Sequence, residues 1–166
     1  STKTSVFEGD EERCTEEIQH SAEEMQPFEG RPITEQFAFR KEAVLRFLAG
    51  KGLSQGDLDA VAGRGGLLRP IPHGTWNVGT PMLEDLKAGK RGEHASNLGA
   101  LIAAELVAGT DKPAFIVDPV VVDEADPKVK VTGLKELPRR VISHALNQIA
   151  TARRYAEEHE TFYERV

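Results

Sequence analysis

Two brief apolar runs, Leu58–Ala62 and Ala114–Val117, constrain this chain's fold more than any other feature. Each stops at residues suited to a ligand: Gly63-Arg64-Gly65-Gly66 after the first, Asp118-Pro119 after the second. Between them Leu98, Leu101, Ile102 and Leu106 recur at helical spacing, behind a Ser96 or Asn97 that can cap a helix running to about Val107. Short apolar runs bounded by glycine or proline read as buried strands. The residue before Pro119 is pushed to extended geometry, which puts Asp118 at a strand's end. Strands alternating with amphipathic helices predict an α/β fold with parallel inner strands.

The flanking segments fill in the rest. Lys3–Glu8 reads as a strand, Gly9-Asp10 as a turn and Arg13–Ile18 as the returning strand of a hairpin. His20–Ile33, with Pro27, Gly30 and Pro32, reads as a loop. Thr34 is placed to cap a helix carrying Phe37, Val44, Leu45 and Leu48, which Gly50 or Gly52 ends. Pro70–Gly79, with Trp76 inside it, reads as irregular, and Pro81–Leu86 as a short helix. Asp123–Pro138 is a polar loop. From Pro138 a helical period returns, with Ile142, Ala145, Ile149, Ala152 and Ala156 on one face.

The length of 166 residues suits one domain, 1–166, large enough to bury a core. The net charge of −6 argues against a nucleic-acid partner or an anionic membrane surface. No apolar run nears the roughly 20 residues that span a bilayer. The opening Ser-Thr-Lys-Thr-Ser lacks the apolar core of a secretory signal. Cys14 stands alone, so no internal disulfide forms, and a reducing cytoplasm is the simplest compartment.

Five stretches carry groups fit for chemistry. In Gly63-Arg64-Gly65-Gly66 the glycines allow close backbone approach, while the guanidinium offers a fork of donors to carboxylate or phosphate. A plain turn with a surface arginine explains the same residues. Asp118, at the carboxyl end of a strand, can hold magnesium through water or orient an attacking oxygen, or it can simply begin a loop. Arg140, His144, Asn147 and Thr151 follow helical spacing and form a polar stripe, either solvated or lining a cleft where His144 and Arg140 stabilise a transferring phosphoryl group. His94, just before the Ser96/Asn97 cap, can donate to a phosphate or pack against the cap. Ser1-Thr2-Lys3 pairs hydroxyls with a lysine at the edge of the hairpin, a pairing that can grip phosphates. His20, His73 and His159 share no spacing that suggests zinc.

In combination and order these stretches resemble the butyrate kinase family, within the acetate kinase group of the sugar-kinase and actin superfamily. The resemblance runs along essentially the whole chain. It includes His20-Ser21-Ala22-Glu23-Glu24, Phe37-Ala38-Phe39-Arg40-Lys41, Asp59-Ala60-Val61 leading into Gly63–Leu68, and Met82–Leu86. It continues through Gly92-Glu93-His94-Ala95-Ser96-Asn97-Leu98-Gly99, Pro113–Glu124, and His144–Gln148 with Ala152–Ala156. The resemblance implies a ribonuclease-H-like mixed sheet, an opening hairpin followed by parallel strands, flanked by helices. It implies an ATP-dependent carboxylate kinase that moves a phosphoryl group between ATP and butyrate in either direction, with Mg2+ and by direct in-line transfer. On this likeness Arg64 holds the carboxylate and the developing charge, Asp118 positions magnesium or the nucleophile, and His144 stabilises the transition state. His94, Ser1 and Lys3 support the phosphates.

The chain departs from the family pattern in three places. Only the tail of the family's first phosphate loop is present, as Ser1-Thr2-Lys3. The expected first strand, which would lie between the Lys3–Glu8 and Leu58–Ala62 strands, is missing. The second phosphate loop, the adenosine segment and a second catalytic arginine are also absent. The expectation is therefore a carboxylate-side domain truncated at both ends, inactive by itself. The partners expected of the complete protein are a short-chain carboxylate, ATP or ADP and further copies of itself. The rival readings are a non-catalytic carboxylate-binding or oligomerisation module, a kinase for acetate, propionate or a branched acid, and a helical scaffold.

Overall fold

The computed structural model describes residues 1–134, 136–137 and 139–166. The chain opens with strands β1 (Thr2–Glu8) and β2 (Glu11–Ile18), paired antiparallel, with a register shift at Val6/Phe7. Gly9 turns the hairpin at φ +61°, a conformation that suits glycine. The returning strand thus begins two residues earlier than the pattern suggested.

The predicted loop His20–Ile33 instead contains a single helical turn, α1 (Ala22–Met25). Its cause is local: Ser21 Oγ accepts from Glu24 N–H while Glu24 Oε2 accepts from Ser21 N–H, a reciprocal capping pair. Thr34 does not cap the following helix. It lies inside a 3-10 turn (Ile33–Gln36), and helix α2 (Phe37–Gly50) starts behind Gln36 with no side-chain cap. Gly50 does close α2, and Gly52 follows in the left-handed region.

The second sheet has the order β3 (Val61–Arg64), β5 (Ala114–Val117), β4 (Thr75–Asn77). Strand β3 (Val61–Arg64) runs parallel to β5 (Ala114–Val117), as the alternation required. It starts three residues later than the expected Leu58–Ala62 run and ends two residues later. A capping pair between Ser54 and Asp57 winds residues 55–57 into a 3-10 turn, and the ladder begins where Val61 N–H meets Pro113 O. Gly63 and Arg64 are therefore strand residues. Strand β4 (Thr75–Asn77) pairs antiparallel with β5 inside the stretch read as irregular. Three exposed residues carry too little apolar pattern to announce a strand.

Two helices follow the glycine loop: α3 (Thr80–Ala88), ending at a left-handed Gly89, and α4 (Asn97–Leu106). Helix α4 packs on β3, β5, α3 and α2, while α2 also packs on β1. One helical layer thus touches both sheets, although among the described residues the sheets do not hydrogen-bond to each other. The core forms where these elements meet: Val44, Phe47 and Leu48 of α2, Leu86 of α3, Leu98 and Leu101 of α4, and Ile116 of β5. Leu86, Leu98 and Ile116 are essentially sealed from solvent, each contributing about 1.5–3 kcal/mol of burial free energy.

The last helix, α5, spans Ala145–Glu158, so the helical period does not start near Pro138. Pro138 itself lies outside the described residues. Ile142 is 58% exposed, and only Ala145 and Ala156 of the expected apolar face are fully buried. No helix among the described residues is long and apolar enough to cross a membrane. The architecture is α/β with a mixed three-stranded sheet and a separate hairpin. The finer ribonuclease-H-like assignment remains an implication of the family likeness.

Candidate active site

The β3/β5 register builds the site. Arg64 faces Val117 across the parallel ladder, so the guanidinium-bearing residue and Asp118 leave adjacent strands at the same carboxyl end. Three close approaches hold the strands and the helix together there. A Cβ on Gly63 would stand 2.2 Å from Gly99 O, one on Gly65 2.4 Å from Pro119 Cβ, and one on Gly66 2.4 Å from Asn97 Oδ1. The glycine run is therefore required by packing as well as open to a ligand.

Asp118 is 6% exposed and sits at φ +38°, in a region that costs a non-glycine residue of order 1–3 kcal/mol. Two bonds to Gly74 hold it there: Asp118 N–H donates to Gly74 O at 3.1 Å, and Gly74 N–H donates to Asp118 Oδ1 at 2.6 Å. Oδ2 takes no hydrogen bond among the described residues. The segment before β4 is latched to the one after β5 by an Ile71–Val122 bridge and by Glu124. Glu124 Oε1 receives His73 N–H at 3.1 Å and lies 2.6 Å from His73 Nδ1. The His73 contacts hold the Glu124 carboxyl below its usual range.

His144 stands immediately before α5 rather than within it, and Arg140 lies in the preceding segment, which has no regular secondary structure. The helical stripe from Arg140 through Thr151 therefore does not exist as such. His144 nonetheless comes near the site, because Ser143 N–H donates to Val120 O at 3.0 Å, two residues beyond Asp118. Arg64 and His144 are exposed. His94 packs against its cap: Nδ1 accepts from Ser96 N–H at 3.2 Å and pairs with Ser96 Oγ at 2.9 Å, leaving Nε2 as the ring's donor. Ser1 and Lys3 belong to the hairpin, where Lys3 sits opposite Glu17, and they reach the main body through α2.

Asn97 is the residue the sequence pattern undervalued. It was a candidate cap, yet its side chain is wholly buried and serves two loops. Oδ1 accepts from Leu67 N–H at 2.8 Å and Nδ2 donates to Gly92 O at 3.0 Å, tying the arginine loop to the His94 loop. Gly74 was missed as well. It carries no side-chain chemistry, and only the three-dimensional latch shows its use.

The described clefts lie elsewhere. One of about 300 Å³ runs between Ile18 and Phe47, and one of about 670 Å³ lies between Met25, Phe28 and Gln36. Neither is lined by Arg64, Asp118 or His144. Arg64 and His144 are exposed outside these clefts, and Asp118 is buried at the end of β5. Among the described residues no three His, Cys, Asp or Glu side chains gather for a metal. A magnesium ion held through one carboxylate, water and phosphates needs no more than Asp118 Oδ2 supplies.

Arg64 and Asp118 thus stand at the carboxyl end of two adjacent parallel strands in an α/β scaffold, where an arginine offers donors suited to carboxylate or phosphate. Comparison narrows the class. Butyrate kinase 2 of Clostridium acetobutylicum is 50% identical over 164 residues, which is 99% of this chain and 46% of that protein. Butyrate kinase 1 of the same organism is 48% identical over 158 residues, 95% of this chain and 44% of that protein. No protein-family model matches. The chain belongs to the butyrate kinase family, and it spans less than half the length of these curated relatives.

Proposed function

We propose that this chain is the carboxylate-side part of an ATP-dependent kinase that converts butyrate, or a related short or branched fatty acid, into its acyl phosphate, and runs the reverse reaction. The carrying observation is near-50% identity to butyrate kinases along almost the entire chain, with Arg64 and Asp118 at one strand end. A carboxylate oxygen attacks the γ-phosphorus, the bond to the departing ADP oxygen breaks, and negative charge spreads over the transferring group. Arg64 orients the acid and offsets that charge. Asp118, fixed by Gly74, presents its second oxygen to the magnesium, which when bound neutralises phosphate charge. His144 donates from the start of α5, and His94 Nε2 supports the phosphates together with Ser1 and Lys3.

The protein is read as cytoplasmic and self-associating, and the nucleotide site as completed by sequence beyond these residues. The test is acyl hydroxamate formation by the product of the gene carrying this sequence, with ATP, Mg2+ and C2 to C5 acids. Arg64→Ala is expected to cost about 3–4 kcal/mol of transition-state stabilisation, on the order of 10²–10³ in rate. Unchanged turnover in that variant would favour a non-catalytic module, a reading that the open surface around Arg64 also permits. The 166-residue chain alone is expected to form no acyl phosphate.

A further inference from the structure

We propose that Arg40, which no step above uses, is a positioning residue that presents the Ser1–Lys3 segment to the phosphates of a nucleotide. This rests on the kinase reading. Arg40 lies on α2 and is only 9% exposed, yet no carboxylate among the described residues comes within ion-pair distance. All its hydrogen bonds end on neutral acceptors. Nη1 donates to Ser1 O at 2.7 Å and to Thr2 Oγ1 at 2.9 Å, and Nε donates to Gln36 Oε1 at 3.0 Å. A buried cation satisfied only by dipoles is costly, and burial does draw its pKa down. A methionine or leucine would fill the same space without that cost, so the charge calls for another account.

The bonds supply one. The two Nη1 contacts fall on Ser1 and on Thr2, the first residue of β1, so the guanidinium fixes where the chain enters the hairpin. Thr2 Oγ1 accepts from Arg40 and lies 2.8 Å from His20 Nε2, to which it can pass its own proton. Burial and the Arg40 charge both lower the His20 pKa, favouring the neutral ring that can accept; Glu24, already bonded to Ser21 N–H, pulls weakly the other way. The relay Arg40–Thr2–His20 thus pins the strand's start while the side chains of Ser1 and Lys3 stay exposed. The uncompensated guanidinium adds positive potential beneath them. Glu17 lies across the hairpin from Lys3, and Ser1 and Lys3 both draw its carboxyl down, so an anion seated on Ser1 and Lys3 competes with that carboxylate for the positive potential that Arg40 adds.

The experiment has two readouts. In the gene product carrying this sequence, Arg40→Met is expected to raise KM for ATP at least tenfold and to leave KM for butyrate within twofold. Arg40→Lys should recover part of the loss by restoring charge without the fork. Thr2→Val, which spares the packing of α2, should raise KM for ATP about threefold, and Thr2→Ser should restore it. Equal losses for both substrates, or native constants in Arg40→Met and Thr2→Val, would overturn the proposal. Separately, inorganic tripolyphosphate with Mg2+ is titrated while the Thr2 and Lys3 amide signals and the Arg40 Nε–H signal are followed by NMR. Wild type should shift these signals and Arg40→Met should bind at least tenfold more weakly; binding within twofold of wild type overturns the assignment. A wild type that forms no acyl phosphate sinks the kinase reading alone, because the titration still decides Arg40.

Discussion

Replacing Asn97 isolates the clamp that holds the arginine loop. Asn97→Ala removes the acceptor of Leu67 N–H and the donor to Gly92 O, and it empties the volume of an amide at a wholly buried position. Each orphaned backbone group costs about 1–3 kcal/mol when water cannot replace the partner. Leu67 and Gly92 are half-buried, so the lower half of that range applies to each. The void adds roughly 1 kcal/mol, and alanine's better helix propensity returns about 0.6 kcal/mol. The expected loss is about 3 kcal/mol, or roughly 6–12 °C in Tm for a chain of this size. Asn97→Asp keeps the shape and the Leu67 bond but sets an oxygen against Gly92 O. Protonation of the introduced carboxyl would restore a donor, so its folded pKa should lie above the unfolded value. Such a group binds more protons when folded, and this variant should regain stability as pH falls from 8 to 5. Urea unfolding at both pH values measures the two effects. A native-like Asn97→Ala, or an Asn97→Asp indifferent to pH, would refute the clamp.

Two further substitutions probe neighbouring contacts. Gly63→Ala drives a methyl into Gly99 O at 2.2 Å, against backbone that cannot swing away, so β3 and α4 must part; a loss of about 3 kcal/mol is expected in urea melts, and a loss under 0.5 kcal/mol would contradict the packing. Glu124 has a carboxyl depressed from its ordinary 4.5 by its His73 contacts, so its contribution is present above that value and fades as pH falls through the folded pKa. Glu124→Gln should therefore melt below wild type at pH 7, and the gap should narrow as pH falls through the folded pKa of Glu124. A gap that does not narrow on acidification would show that charge is not the cause.

The parts legible in the sequence were those with a repeating physical cause. The period of Leu98, Leu101, Ile102 and Leu106 located α4, because a buried face must recur every three or four residues. The apolar run before Asp118-Pro119 located β5 to the residue. Errors arose where a local bond outranked the pattern. The Ser54–Asp57 capping pair displaced β3, and the Ser21–Glu24 pair made a helical turn from a supposed loop. Ala145, Ile149 and Ala152 keep helical spacing with Ile142, but periodicity does not show where winding starts, and α5 begins at Ala145. Among the site residues, the β3/β5 register sets Arg64 and Asp118 at the same carboxyl end of adjacent strands. The clamping role of Asn97, read only as a cap, and the Gly74 latch left no periodic trace, because one is a buried amide bond and the other a backbone contact.

The two sheets pose a physical question that exchange can answer. In a parallel ladder the peptide groups of alternate residues point to opposite sides. Val61 N–H bonds to Pro113 O on the β5 side, so Gly63 shares that side and the N–H of Ala62 points away from β5, toward an edge that no described strand occupies. Among the described residues strand β1 pairs only with β2, and its other edge meets no described strand. Helix α2 rests on β1 and α4 on β3, while α2 packs on α4. The layer that would back one continuous sheet is therefore present across both. Hydrogen exchange of the dilute 166-residue chain should show Val61 and Gly63 amides protected on the order of 10³-fold, an opening free energy of about 4 kcal/mol, with Ala62 near the unprotected rate. Unpaired edges recruit strands, so rising concentration should slow Ala62 selectively as copies pair there. Ala62 protection equal to that of Gly63 at every dilution would mean that the edge is already covered and that the sheets are not open as described.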